Sequence, residues 1–102
     1  MQLGRVVGTV VATRKEDRLK GFKLQVVELV DLEAKTKGGF QIAVDAVGAG
    51  PGDVVLTASG SSARLTTLTK DTPVDTVIMA IVDSIETGGE IRWDKARAAA
   101  ES

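Results

Sequence analysis

The 102-residue chain contains no cysteine, histidine, tyrosine or asparagine. Without cysteine there is no disulfide, no thiolate nucleophile and no zinc–thiolate site. Without histidine the commonest general base and the commonest metal ligand are missing. Aromatic residues are scarce, two Phe and one Trp, too few for the stacking platforms that single-strand nucleic-acid binders use. Neither sign of charge dominates: thirteen basic residues face fourteen acidic ones, for a formal net charge of −1. Such a balance gives no global attraction to nucleic acid or to an anionic membrane. Long apolar runs are also lacking. The longest, residues 77–82, is far too short to span a bilayer. The apolar N-terminus is interrupted by Arg5 and by Gly and Thr among its valines, so it does not read as a signal peptide. The expectation is a cytoplasmic chain with no cofactor, no metal, no nucleic acid and no membrane.

What the chain has is valine, threonine and glycine in short alternating blocks. Its length corresponds to one domain, and a domain of this size buries only about two-thirds of its unfolded surface, so its core is modest and self-association would add to it. Residues 2–13 read as a first strand and 22–32 as a second. On the second, Phe22, Leu24, Val26, Glu28 and Val30 share one face, and Lys23, Gln25, Val27, Leu29 and Asp31 the other. Both faces are partly apolar, which suits a barrel wall with a partner outside it. Residues 14–18, all charged, read as a solvated turn, and 33–39 as a polar connection. A third strand over 40–47 places Phe40, Ile42, Val44 and Ala46 on one face; Phe22 and Phe40 read as core residues. A glycine- and proline-rich turn over 48–53 follows, then a short fourth strand over 54–58. Ser61 or Ser62 caps a short helix running to about Lys70, ended by Asp71-Thr72-Pro73. Residues 74–85 read as one long strand, and Gly88-Gly89 turns into Ile91-Arg92-Trp93. The tail over 94–102 is alanine-rich and compatible with helix, but reads as frayed or variable in position. The expected fold is mainly β: a small five- to six-stranded, OB-like barrel with one short helix after the fourth strand. The barrel domain spans 1–93 and the variable tail 94–102.

Motifs for catalysis fail on inspection. Gly48-x-Gly50 lacks the third glycine of a dinucleotide fingerprint, Asp53 standing in its place, and a strand rather than a helix follows. Gly60-Ser61-Ser62 lacks both the following glycine and the histidine base of a nucleophile elbow. Asp45 and Asp53 flank the glycine turn and read as acceptors for turn amides, or as partners of Arg64.

Four stretches, in order, resemble the EutN/CcmL family of bacterial microcompartment vertex proteins. They are Met1-Gln2-Leu3-Gly4-Arg5-Val6-Val7-Gly8, Asp45-Ala46-Val47-Gly48-Ala49-Gly50, Gly60-Ser61-Ser62-Ala63-Arg64, and Pro73-Val74-Asp75 leading into Ile78-Met79-Ala80-Ile81-Val82-Asp83. Singly they are weak; as an ordered set reaching to Trp93 they are specific. The resemblance implies a non-enzymatic β-barrel subunit that assembles as a homopentamer, caps the five-fold corners of a polyhedral shell, and meets hexameric and trimeric shell proteins in the bacterial cytoplasm. It further implies that Gly60, Ser61, Ser62 and Ala63 line a narrow pore on the ring axis. There small residues avoid clashes between five copies. Arg64 is expected at a subunit interface, with Asp45 and Asp75 as carboxylate partners. The alternative is a small barrel module that binds a ligand or single-stranded nucleic acid.

Overall fold

The computed structural model describes residues 1–60 and 75–101. Five strands close into a barrel in the order β1-β2-β3-β5-β4. They are β1 (Gln2–Val10), β2 (Leu24–Val30), β3 (Thr36–Asp45), β4 (Val54–Ser59) and β5 (Thr76–Ile81). Every neighbouring pair is antiparallel except β3 and β5, which run parallel through Val44 opposite Val77 and Asp45 opposite Ile78. Closure is made by a short seam, since β3 meets β5 at these two positions only. A separate hairpin, β6 (Ser84–Thr87) and β7 (Glu90–Asp94), and a short helix α1 (Lys95–Glu101) follow.

The barrel interior is narrow and is filled by small side chains: Val6, Val27, Ala43, Val55 and Ile78, with Ala49 entering from the turn after β3. Gly4 shows how tight it is. A β-carbon there would lie 2.2 Å from a Val27 methyl and 3.1 Å from the Glu28 carbonyl oxygen. Two bulges set which side chains point inward. The register of β1 against β2 shifts between Val6 and Gly8, and that of β2 against β3 between Glu28 and Val30. The second shift returns Val30 to the buried side after Val27, although strict alternation separates them.

A second apolar cluster lies on the outer side of the same wall. Val44, Ala58 and Val77 are buried there beneath Leu19 and Phe22 of the loop after β1, which contains a single 3-10 turn (Asp17–Leu19). The loop that read as a solvated charge run therefore carries apolar side chains as well. Its charges pair with one another at the surface, Arg18 with Glu16 and Lys20 with Asp17. The Arg18 side chain and amide hold the exposed Glu16 carboxyl below its usual range.

Several expectations need correcting. Phe22 is half-buried, but Phe40 is 65% exposed; the inner face of β3 belongs to Gln41 and Ala43, and the narrow interior holds no aromatic. β3 starts at Thr36, so most of the expected connection over 33–39 is strand. The turn itself is compact, with the Asp31 carboxylate accepting the amides of Glu33 and Lys35 at 2.8 and 3.0 Å. The long strand over 74–85 is broken: β5 ends at Ile81 and pairing resumes only at Ser84, with a new partner. The tail is a formed helix, started by the Asp94 carboxylate accepting the Arg97 amide at 3.0 Å. The helix expected after the fourth strand lies outside the described residues.

Candidate assembly surfaces

The neck of the 60–75 segment is built by the ends of β4 and β5. Ser59 sits opposite Thr76, their hydroxyls 3.4 Å apart, and the Gly60 amide donates to the Asp75 carbonyl at 2.7 Å. Gly60 has φ +67°, a left-handed conformation that favours glycine, while a β-carbon there would meet nothing within 4 Å among the described residues. The backbone geometry by itself calls for glycine. Two of the sequence-derived site residues, Gly60 and Asp75, are thus joined at this neck, both exposed. Ser61, Ser62, Ala63 and Arg64 lie outside the described residues.

Asp45 stands at the end of β3, beside β5. One of its oxygens accepts the amides of Val47 and Gly48 at 3.0 and 2.9 Å, and the other faces the Gln25 side-chain amide at 3.3 Å. Asp53 does similar work at the far side of the turn, accepting the Gly50 amide at 2.8 Å. The turn is further stitched to β1, the Gly52 amide donating to Val6 and the Val6 amide to Asp53. It closes one end of the barrel and drives Ala49 into the core.

Gln25 is the residue the sequence concealed. It is 1% exposed. Its amide nitrogen donates to the Ala49 carbonyl at 2.9 Å as well as to Asp45, and its oxygen accepts the Thr9 hydroxyl at 3.0 Å. One buried side chain thus ties β1, β2, the end of β3 and the closing turn. No buried side-chain nitrogen or oxygen among the described residues is left without a partner, as a core this small requires. The alternation of Gln25 with Val27 was present in the sequence, but both faces of the strand are partly apolar, so parity alone did not say which one is inside.

The outer wall of β2 and β3 carries the other feature. Leu24 opposite Val44 is covered by the 17–22 loop. Further along, Val26 opposite Ile42 and Glu28 opposite Phe40 have no such cover among the described residues. Ile42 is 49% exposed. The result is an apolar ridge, Phe40 and Ile42, standing on a rigid sheet. Exposed large apolar groups grouped in this way mark interaction surfaces.

Comparison with known proteins agrees with this architecture. The family profile "Ethanolamine utilisation protein EutN/carboxysome" matches residues 1–83. The shell vertex protein GrpN of Rhodospirillum rubrum is 44% identical over 87 residues, covering 85% of this chain and 98% of GrpN. Its solved structure, described as a pentameric microcompartment shell protein, superimposes with a TM-score of 0.78 at 42% identity, covering 85% of this chain and 99% of that one. The structure of Gloeobacter violaceus CcmL superimposes with a TM-score of 0.89 at 35% identity, covering 94% of this chain and 99% of that one. A closed five-stranded barrel, a matching profile over most of the length and relatives aligned nearly end to end lead to one conclusion: the chain belongs to the EutN/CcmL family.

Proposed function

We propose that this chain is a structural subunit of a bacterial microcompartment shell, and that five copies form a ring seated at a five-fold vertex. Its work is assembly, and no reaction is assigned to it. A flat hexagonal layer cannot close on itself, and five-fold rings supply the curvature that lets it shut. A ring closes through one repeated head-to-tail contact, which needs two different surfaces on each copy. The observation that carries this reading is the two-sided barrel wall: Val27 and Ala43 fill the interior, while Ile42 and Phe40 of the same wall remain outside for a neighbour.

Several finer assignments belong to the same proposal. Residues 60–63 line the ring axis. The Gly60–Asp75 bond pins both ends of the segment that would carry them, and the glycine and hydroxyl side chains suit a crowded polar opening. Arg64 pairs across subunits. Asp75, exposed at the neck, is better placed to receive it than Asp45, whose oxygens are occupied within their own subunit. The ring's partners are hexameric and trimeric shell proteins in the bacterial cytoplasm.

Co-expression with hexameric shell protein tests the function. The chain should convert open sheets or tubes into closed polyhedra, with the chain located at their corners by electron microscopy. Shells that remain equally open with and without it would refute the reading.

A further inference from the structure

The segment after the barrel has the architecture of an arm. β6 and β7 pair with each other, and α1 packs chiefly on β7. Bonds such as the Val82 amide to the Val54 carbonyl at 2.8 Å, and Lys95 Nζ to Asp53 Oδ1 at 3.5 Å, hold the arm against its own barrel. Between the two runs a cleft of about 470 Å³, inside the range of about 300–1,000 Å³ that small-molecule sites occupy. One wall is barrel, with Arg5 of β1 opposite Val54 of β4; the other is arm, with Trp93 of β7 and Ala98 of α1.

We propose that this cleft binds a small planar organic anion, its ring against Trp93 and its carboxylate or phosphate on Arg5. The site lies within one subunit and does not rest on the ring reading.

Three observations support an anion with a flat ring as the occupant. The first is charge. Arg5, Asp53 and Lys95 are the charged residues bordering the cleft, two positive and one negative. Asp53 is already engaged: one oxygen accepts the Gly50 amide at 2.8 Å and the other faces Lys95. The Arg5 guanidinium has no hydrogen bond or ion pair among the described residues, although Glu28 stands opposite it on β2. Arg5 is half-buried, so its charge is drawn partly out of water without a counter-charge, a cost that an anion in the cleft would offset. Its planar fork matches a carboxylate or phosphate with two parallel bonds.

The second is Trp93, the single tryptophan of the chain. It is half-buried and belongs to neither apolar cluster of the barrel. An aromatic face at the edge of a cleft is a flat apolar wall on which a planar ring stacks. The third is space. Gly52 and Ala98 contribute little bulk to the lining, and the cleft is far larger than an inorganic anion. A ring joined to an anionic group fills it better than the anionic group alone.

A single tryptophan at the site makes the test direct. The full-length chain, in the assembly it forms, is titrated with benzoate and with adenosine monophosphate, followed by Trp93 emission and by isothermal titration calorimetry. Inorganic phosphate and cyclohexanecarboxylate serve as anions without a flat ring. The site predicts saturable binding of benzoate or adenosine monophosphate, ~10-fold tighter than the matching ringless anion. Tighter binding of benzoate assigns a carboxylate ligand, and tighter binding of adenosine monophosphate a phosphate. Arg5→Gln, with its fold checked by circular dichroism, should weaken binding ~10-fold or more. Ala98→Leu narrows the cleft from the arm side, away from the barrel core, and should weaken calorimetric binding likewise. No saturable binding of either ringed anion overturns the site, as does binding that the ringless anions match or that both substitutions leave unchanged.

Discussion

The barrel and the arm are consecutive parts of one chain, yet they are held by opposite means. The barrel completes itself: its strands close, the buried polar side-chain atoms of its described residues are bonded, and its interior is packed so tightly that Gly4 admits no β-carbon. The arm completes nothing: none of its described residues is buried, and bonds such as Val82 to Val54 and Lys95 to Asp53 hold it to the barrel. The difference shows how a small domain divides stability from association. The inner face of the wall makes the subunit, and the outer face is left for the proposed ring. Substitutions should therefore separate into those that unfold the chain and those that only disperse it.

The largest effect should come from Ile78→Ala, which empties the centre of the barrel. Ile78 is fully buried, and such truncations cost about 2–5 kcal/mol, to be read from the urea midpoint. Gln25→Ala should follow. It leaves the Ala49 carbonyl and the Thr9 hydroxyl without their buried partner, a loss of about 1–3 kcal/mol. A midpoint unchanged by Gln25→Ala would show that the network does not hold the closing turn.

Phe40→Ser should reverse the pattern. The side chain is mostly exposed in the single subunit, so subunit stability should change by no more than about 0.5 kcal/mol, while analytical ultracentrifugation shows the assembly dispersed. A variant that unfolds, or that still assembles, would erase the distinction between the two faces.

The smallest effect concerns acid. The amides of Lys35 and Glu33 hold the Asp31 carboxyl below its usual range. A lowered folded-state pKa means that the unfolded chain takes up the proton first as pH falls. The stabilisation is present above the unfolded value, about 3.9, and is lost as pH drops through the lower folded value. Asp31→Ala should lower stability slightly at neutral pH, where the carboxylate's bonds are in force, change little below the folded value, and so flatten this acid limb, as acid and urea titrations would read.

The strands, the glycine turn and the family were legible because each rests on local chemistry: β-branched alternation, glycine and proline at turns, and ordered motifs. The inner–outer assignment was less so, because alternation gives parity but not sign. Phe40 was expected in the core on hydrophobicity alone, whereas five closing strands enclose space for valine and alanine and leave the larger ring outside. The bulge between Glu28 and Val30 hid a second change of face, and no residue type announces a bulge. Gln25 was concealed because its partners come from distant segments, Thr9, Asp45 and Ala49. The tail's alanines are compatible with helix but do not start one; the Asp94 carboxylate does, by accepting the Arg97 amide. Of the candidate pore and interface residues, Gly60 and Asp75 meet at the neck, and Asp45 is engaged in its own turn.

Self-assembly into a five-membered ring is the claim on which the rest depends, and native mass spectrometry of the unmodified chain at micromolar concentration tests it most directly. The account predicts a dominant species with five times the 10.7 kDa chain mass. A dominant single chain under those conditions would contradict it.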